Sequence, residues 1–128
     1  VLAEGINNFR IRRGEFTKLW DPDRAVVVSQ FAPDQKWFAS GAMARNTVIA
    51  GFSQALVVVE AGETGGTLAA GQYALERGQT VLALQLFDAA PGNKLLIAHG
   101  AKVIRSRHHL EIALDYLNGH GPKQLSLM

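Results

Sequence analysis

Two uninterrupted apolar runs, ALVVVEA at residues 55–61 and TVLALQLF at residues 80–87, do most to limit what this chain can fold into. A strand with one face in water alternates apolar and polar side chains; these runs do not, so they read as strands covered on both faces. AVVVSQF at residues 25–31 and AKVIRS at residues 101–106 have the same β-branched character. Between the runs lie segments of helical spacing, expected as helices over roughly residues 42–52, 66–76, 93–99 and 108–117, with Gly78, Gly100 and Gly119 placed as C-terminal caps. Strands alternating with helices predict an α/β fold with a parallel sheet. The segment FRIRRGEFTKLWDPD fits this scheme least well and reads as a helix interrupted near Gly14.

With 128 residues, 48% of them hydrophobic, the chain can bury one ordinary core, so a single domain over residues 1–120 is expected, followed by a mobile tail at 121–128. No apolar run approaches the ~20 residues that cross a bilayer and no basic-then-apolar leader opens the sequence, so a soluble, cytoplasmic chain without membrane partners is expected. The opening VLAEGINNF reads as the exit of a strand, which suggests a fragment whose preceding half lies elsewhere. Zero cysteines exclude disulfides, thiolate nucleophiles and cysteine zinc sites. A formal net charge of +2 is too mild to mark a nucleic-acid binder by charge alone.

In an open parallel sheet, ligands bind outside the carboxyl ends of the strands, which directs attention to the loops after residues 31, 61, 84 and 106. The second of these is GETGGT, and it opens a helix. Gly62, Gly65 and Gly66 let the backbone approach a ligand closely, and the first helical amides, at Thr67 and Leu68, are orphan donors beside a positive dipole end. An anion fits there. So does a tight turn capped by Thr64 or Thr67. The loop is neither a Walker A sequence nor a G-x-G-x-x-G fingerprint.

Arg45 is expected in the first turn of its helix, where a cation opposes the dipole, and with Asn46 it forms a fork of donors suited to a phosphate or carboxylate. The plainer reading pairs Arg45 with Asp34 or Glu63 on the surface. Glu60, at the end of a strand, either accepts backbone amides or faces a ribose or base. Trp20, Trp37, Phe31 and Phe38 either stack on bases or pack the rim. His99, His108, His109 and His120 lack metal-site spacing, and Ser29, Ser40 and Ser53 lack a nucleophile elbow. No catalytic residue, metal or cofactor is expected.

The series SGAMARNTVIAGFSQALVVVEAGETGGTLAAGQYALERGQTVLAL, followed by PGNKLLIAHGAKVI, resembles the C-terminal half of the Rossmann-like domain in the DNA-processing protein A (DprA/Smf) family, over residues 29–104. The resemblance implies a partial Rossmann-like domain, a parallel sheet with flanking helices. It also implies a non-catalytic, single-stranded-DNA-binding mediator that delivers DNA to a RecA-type recombinase during natural transformation. By that analogy Arg45 and Asn46 face the DNA, and Gly65, Gly66 and Thr67, with Gly62 in the same turn, supply a backbone pocket. Glu60, Asn93 and Lys94 are further candidates. The chain departs from the family pattern at three places: Gly-Gly-Thr-Leu replaces Ser-Gly-Ser-Leu, Gln85 and Leu86 replace a Pro-Gly, and the family's first half, with its Gly-Ser-Arg turn, is absent. An incomplete sheet also offers an edge for a homodimer.

A neighbouring family, the LOG-type nucleoside-monophosphate phosphoribohydrolases, is similar at Met43-Ala44-Arg45 and Gly66-Thr67. It requires a glutamate where this chain has Ala70, and without that carboxylate the glycosidic chemistry lacks its acid/base group. Three readings therefore stand side by side: a DNA-binding module, a nucleotide-binding protein or hydrolase, and a half-domain that only assembles with another chain.

Overall fold

The computed structural model describes residues 1–119. Where one domain is expected over residues 1–120, the chain forms two compact units, Val1–Ile49 and a second from Ala50 onward. The tail at 121–128 and His120 lie outside the described residues.

The second unit is the α/β body. Its sheet has three parallel strands in the order β1 (Ala55–Val58), β2 (Thr80–Leu84), β3 (Lys102–Ile104). In register, Leu56 lies beside Val81, and Leu82 beside Lys102. Three helices accompany the strands: α3 (Gly66–Glu76), α4 (Pro91–Ala98) and α5 (Arg107–Leu117). The central strand β2 explains its own unbroken apolar sequence. Val81 and Ala83 join a core with Leu68 and Ala74 of α3 and Leu96 of α4, while Leu82 joins a second core with Ile104 and Ala113 of α5. Both faces of β2 are thus covered, as its lack of alternation requires. Outer strand β1 is covered less: Val58 is buried, but Val57 is exposed, as is Val59 just beyond the strand.

Contact between α3 and α4 depends on a small residue. A Cβ at Gly71 would lie 2.7 Å from both δ-methyls of Leu96, so glycine there lets Leu96 become fully buried. Each helix also ends as its sequence dictates, with Gly78, Gly100 and Gly119 in the positive-φ conformation that closes α3, α4 and α5. Ser106 caps α5, its hydroxyl accepting from the His109 amide at 3.1 Å. Gln79, just before β2, donates its side-chain amide to the carbonyls of Ala50 and Ser53.

The first unit contains little regular structure. Single turns at Ile6–Asn8, α1 (Gly14–Thr17) and Pro22–Arg24 precede α2 (Ala39–Phe52), a helix within which the boundary between the units falls. The run at residues 25–31, expected as a strand, is not one. Leu2 donates to the Val28 carbonyl at 2.8 Å, but the Glu4 carbonyl takes the Ser29 hydroxyl at 2.7 Å, so pairing does not continue as a ladder. A β-branched run supplies strand propensity; only a continuous partner supplies the strand. The helix expected near Gly14 is reduced to the one turn of α1. Ring pairs Phe9–Trp20 and Phe31–Phe38, with centroids 5.3 Å and 5.5 Å apart, pack within this unit.

Candidate functional site

Because the strands are parallel, their carboxyl ends share one edge of the sheet in the second unit. The loop after β1 carries the glycine turn, and Gly65 there has φ +112° and ψ −178°, a backbone region essentially reserved for glycine. Gly65 is also the N-cap of α3, and no side chain caps the helix there. Neither Thr64 nor Thr67 plays the capping role open to it from sequence. The first helical bond runs from the Ala69 amide to the Gly65 carbonyl at 3.0 Å, so the amides of Gly66, Thr67 and Leu68 precede the ladder. Open donors and the positive end of an eleven-residue helix coincide at this turn. Gly62, also exposed, lies at its start.

Asn93 holds this loop in place. Its side chain is buried and makes three hydrogen bonds: Oδ1 accepts from the Ala61 amide at 2.9 Å, and Nδ2 donates to the carbonyls of Val59 at 3.0 Å and Leu84 at 2.7 Å. One amide therefore ties the end of β1 to the end of β2. Gly92 adds to the tie, its amide donating to the Ala61 carbonyl at 2.9 Å, and a Cβ there would collide with the backbone of Ala61 and Gly62. Asn93, a candidate ligand group from sequence, is thus placed as a positioning residue with its hydrogen-bonding atoms engaged by the protein.

Lys94, on the outer side of α4, pairs with Asp88 at 2.7 Å. That hydrogen bond and the lysine charge hold the Asp88 carboxyl below the usual carboxylate range. Both groups are largely exposed. Glu60 is exposed as well, and it lines a cleft of about 430 Å³ at the same sheet edge, together with Val59, Leu84, Leu86, Phe87 and Pro91.

Sequence reasoning did not single out Arg105 and Arg107, which follow β3 at this edge. Arg105 reaches Gln85 Oε1 at 3.5 Å, and Arg107 pairs with Glu111 at 2.8 Å. The signal was available in the R-S-R sequence, which falls in the loop after the last strand.

Arg45 and Asn46 belong to the first unit. Helix α2 begins at Ala39, three residues before its expected start, so Arg45 sits in the second turn and the helix dipole is not strongly opposed there. Its Nε donates to Asn46 Oδ1 at 3.2 Å and its Nη1 to the Val1 carbonyl at 3.2 Å. Neither Asp34 nor Glu63 is its partner: Asp34 accepts from Asn7 Nδ2 at 2.7 Å. Among the described residues no group of three or more His, Cys, Asp or Glu is placed to hold a metal ion, and no helix is long and apolar enough to cross a membrane.

A parallel α/β sheet with flanking helices and an uncapped glycine turn at its carboxyl edge defines a Rossmann-like protein. Residues 1–115 match the family model of DNA recombination-mediator protein A, and the chain belongs to that family. It is 37% identical over 87 residues to DNA processing protein DprA of Bacillus subtilis (strain 168), covering 63% of this chain and 28% of the relative. Protein Smf of Escherichia coli (strain K12) is 32% identical over 108 residues, covering 81% and 29%. The X-ray structure of DNA processing protein A (DprA) from Streptococcus pneumoniae superposes with a TM-score of 0.66 at 27% identity, over 85% of this chain and 40% of that one. The chain therefore spans less than half the length of these relatives. The family match also reaches back to residue 1, beyond the resemblance over residues 29–104.

Proposed function

We propose that this chain is a non-catalytic module that binds single-stranded DNA and passes it to a RecA-type recombinase. The observation that carries the reading is the uncapped start of α3, where Gly65 takes a conformation closed to other residues and leaves the Gly66 and Thr67 amides without an intrahelical partner. A phosphodiester oxygen is the ligand such a turn suits: it accepts from two amides and is favoured by the helix dipole. Asn93 and Gly92 keep the turn rigid, so little conformational entropy is lost on binding. Arg105 adds positive charge, unpaired among the described residues, along the same edge of the unit, where Lys94 and Arg107 are paired with Asp88 and Glu111. In the first unit, and independently of that turn, Arg45 keeps a guanidinium nitrogen beyond those bonded to Asn46 and Val1, which suits a phosphate contact of its own. Family membership supports the choice of DNA over a free nucleotide. Ala70, in place of the glutamate that phosphoribohydrolase chemistry needs, supports a binding role over hydrolysis.

Fluorescence anisotropy with a labelled 20-nucleotide oligo-dT at two salt concentrations, with a nucleoside monophosphate as competitor, tests the reading. Binding that weakens with salt and resists the competitor is expected. Displacement by the mononucleotide would favour a nucleotide pocket, and indifference to the oligonucleotide would contradict the proposal. The hand-over step is tested by order of addition: preloading DNA with this chain should speed assembly of a RecA-type filament, and a chain that only blocks assembly would refute it.

A further inference from the structure

The cleft beside the glycine turn has walls that no packing role explains. Phe87 is 100% exposed, Leu86 60% and Val59 67%, so three neighbouring apolar side chains contribute nothing to the core and instead surround an opening of about 430 Å³. That volume lies in the range of small-ligand sites. At its edge stands Glu60, a carboxylate with no hydrogen-bond or ion-pair partner among the described residues. The cleft's other carboxylate, Asp88, is already neutralised by Lys94 at 2.7 Å.

A phosphate is repelled by such an opening, whereas the flat face of a base stacks on an exposed phenyl ring. Resting on the DNA-binding reading, we infer that this cleft receives a base of the bound strand, stacked on Phe87, and that Glu60 selects bases bearing an exocyclic amino group. A carboxylate only accepts hydrogen bonds. Cytosine offers it the N4 amino donor, while thymine presents the O4 carbonyl at the equivalent position and meets the carboxylate with an unfavourable acceptor. In a single strand that edge is free to be read. Glu60 comes two residues before Gly62, so the cleft wall and the glycine turn belong to the one loop that follows β1.

The test compares 20-nucleotide oligo-dC and oligo-dT by anisotropy at pH 7.5, for the wild-type chain and for Glu60→Gln and Phe87→Ala. Wild type is expected to bind oligo-dC at least about fivefold more tightly. Glu60→Gln should bring the ratio towards one, because an amide both donates and accepts. Phe87→Ala should weaken both oligonucleotides by about fivefold or more, the loss of one stacked base. Both side chains are exposed, so neither substitution touches the core, and circular dichroism checks that each variant is folded. Equal binding of the two oligonucleotides by wild type, or a ratio unmoved by Glu60→Gln, overturns the base-selection inference while leaving DNA binding intact. Failure of wild type to bind either one refutes the DNA-binding reading itself, and this inference falls with it.

Discussion

Asn93 fills its hydrogen-bonding role with three backbone groups at the ends of β1 and β2, and so holds the loop that carries the glycine turn. Replacing it with Ala leaves the Ala61 amide and the Val59 and Leu84 carbonyls unpaired in a buried place, at about 1–3 kcal/mol for each group that water cannot reach. Urea unfolding should show the loss as a lower midpoint; an unchanged midpoint would mean that water replaces the side chain without cost. Gly65→Ala is expected to destabilise by about 1–3 kcal/mol, because a side chain is forced into a glycine-only conformation. The open space around that position shows that the strain lies in the backbone and not in a clash. The same variant should bind oligo-dT more weakly than its stability loss explains, since the turn that presents the amides is reshaped. Asn93 was legible in sequence as a candidate but not as a tie: two of its three partners lie 32 and 34 positions away at the end of β1, the third is nine positions away, and no local pattern encodes that set of contacts.

Among the elements, those whose ends are written locally could be read. Helix α3 occupies the expected span 66–76 because a glycine pair opens it and Gly78 closes it. Strand β2 was legible because coverage on two faces erases alternation. Residues 25–31 were misread as a strand because propensity says nothing about whether a neighbouring ladder exists, and Arg45 was placed one turn too early because the start of α2 has no cap signal. Between α3 and α4 the packing is close enough to test. Leu96→Ala, at a fully buried position set against Gly71, should cost about 2–5 kcal/mol by thermal or urea unfolding. A loss below about 1 kcal/mol would mean that α4 collapses onto α3 more freely than the close contact implies.

For the molecule as a whole, a net charge of +2 is small for a DNA-binding protein, so each unpaired cation matters. Lys94 is held by Asp88, whose carboxyl is kept below its usual range by that lysine. The sign follows directly: the pair's contribution is present above the usual carboxylate pKa and is lost as pH falls through the lowered one. Because both groups are exposed, stability should change little in Asp88→Asn. Affinity for DNA should rise instead, with a salt dependence steeper by about 0.7 in log–log slope as Lys94 becomes free for a phosphate. Arg45→Ala should act in the opposite sense, flattening the slope by about the same amount. Anisotropy over a salt series reads both, and equal slopes for all three proteins would remove these residues from the interface.

The amides at the start of α3 can be observed one by one in a chain of 128 residues. Amide chemical shifts recorded by NMR during titration with oligo-dT should move most at Gly65, Gly66 and Thr67, with smaller changes at the neighbouring strand ends. Shifts confined to other surfaces, or no shifts at all at saturating DNA, would contradict a phosphate seated on this turn.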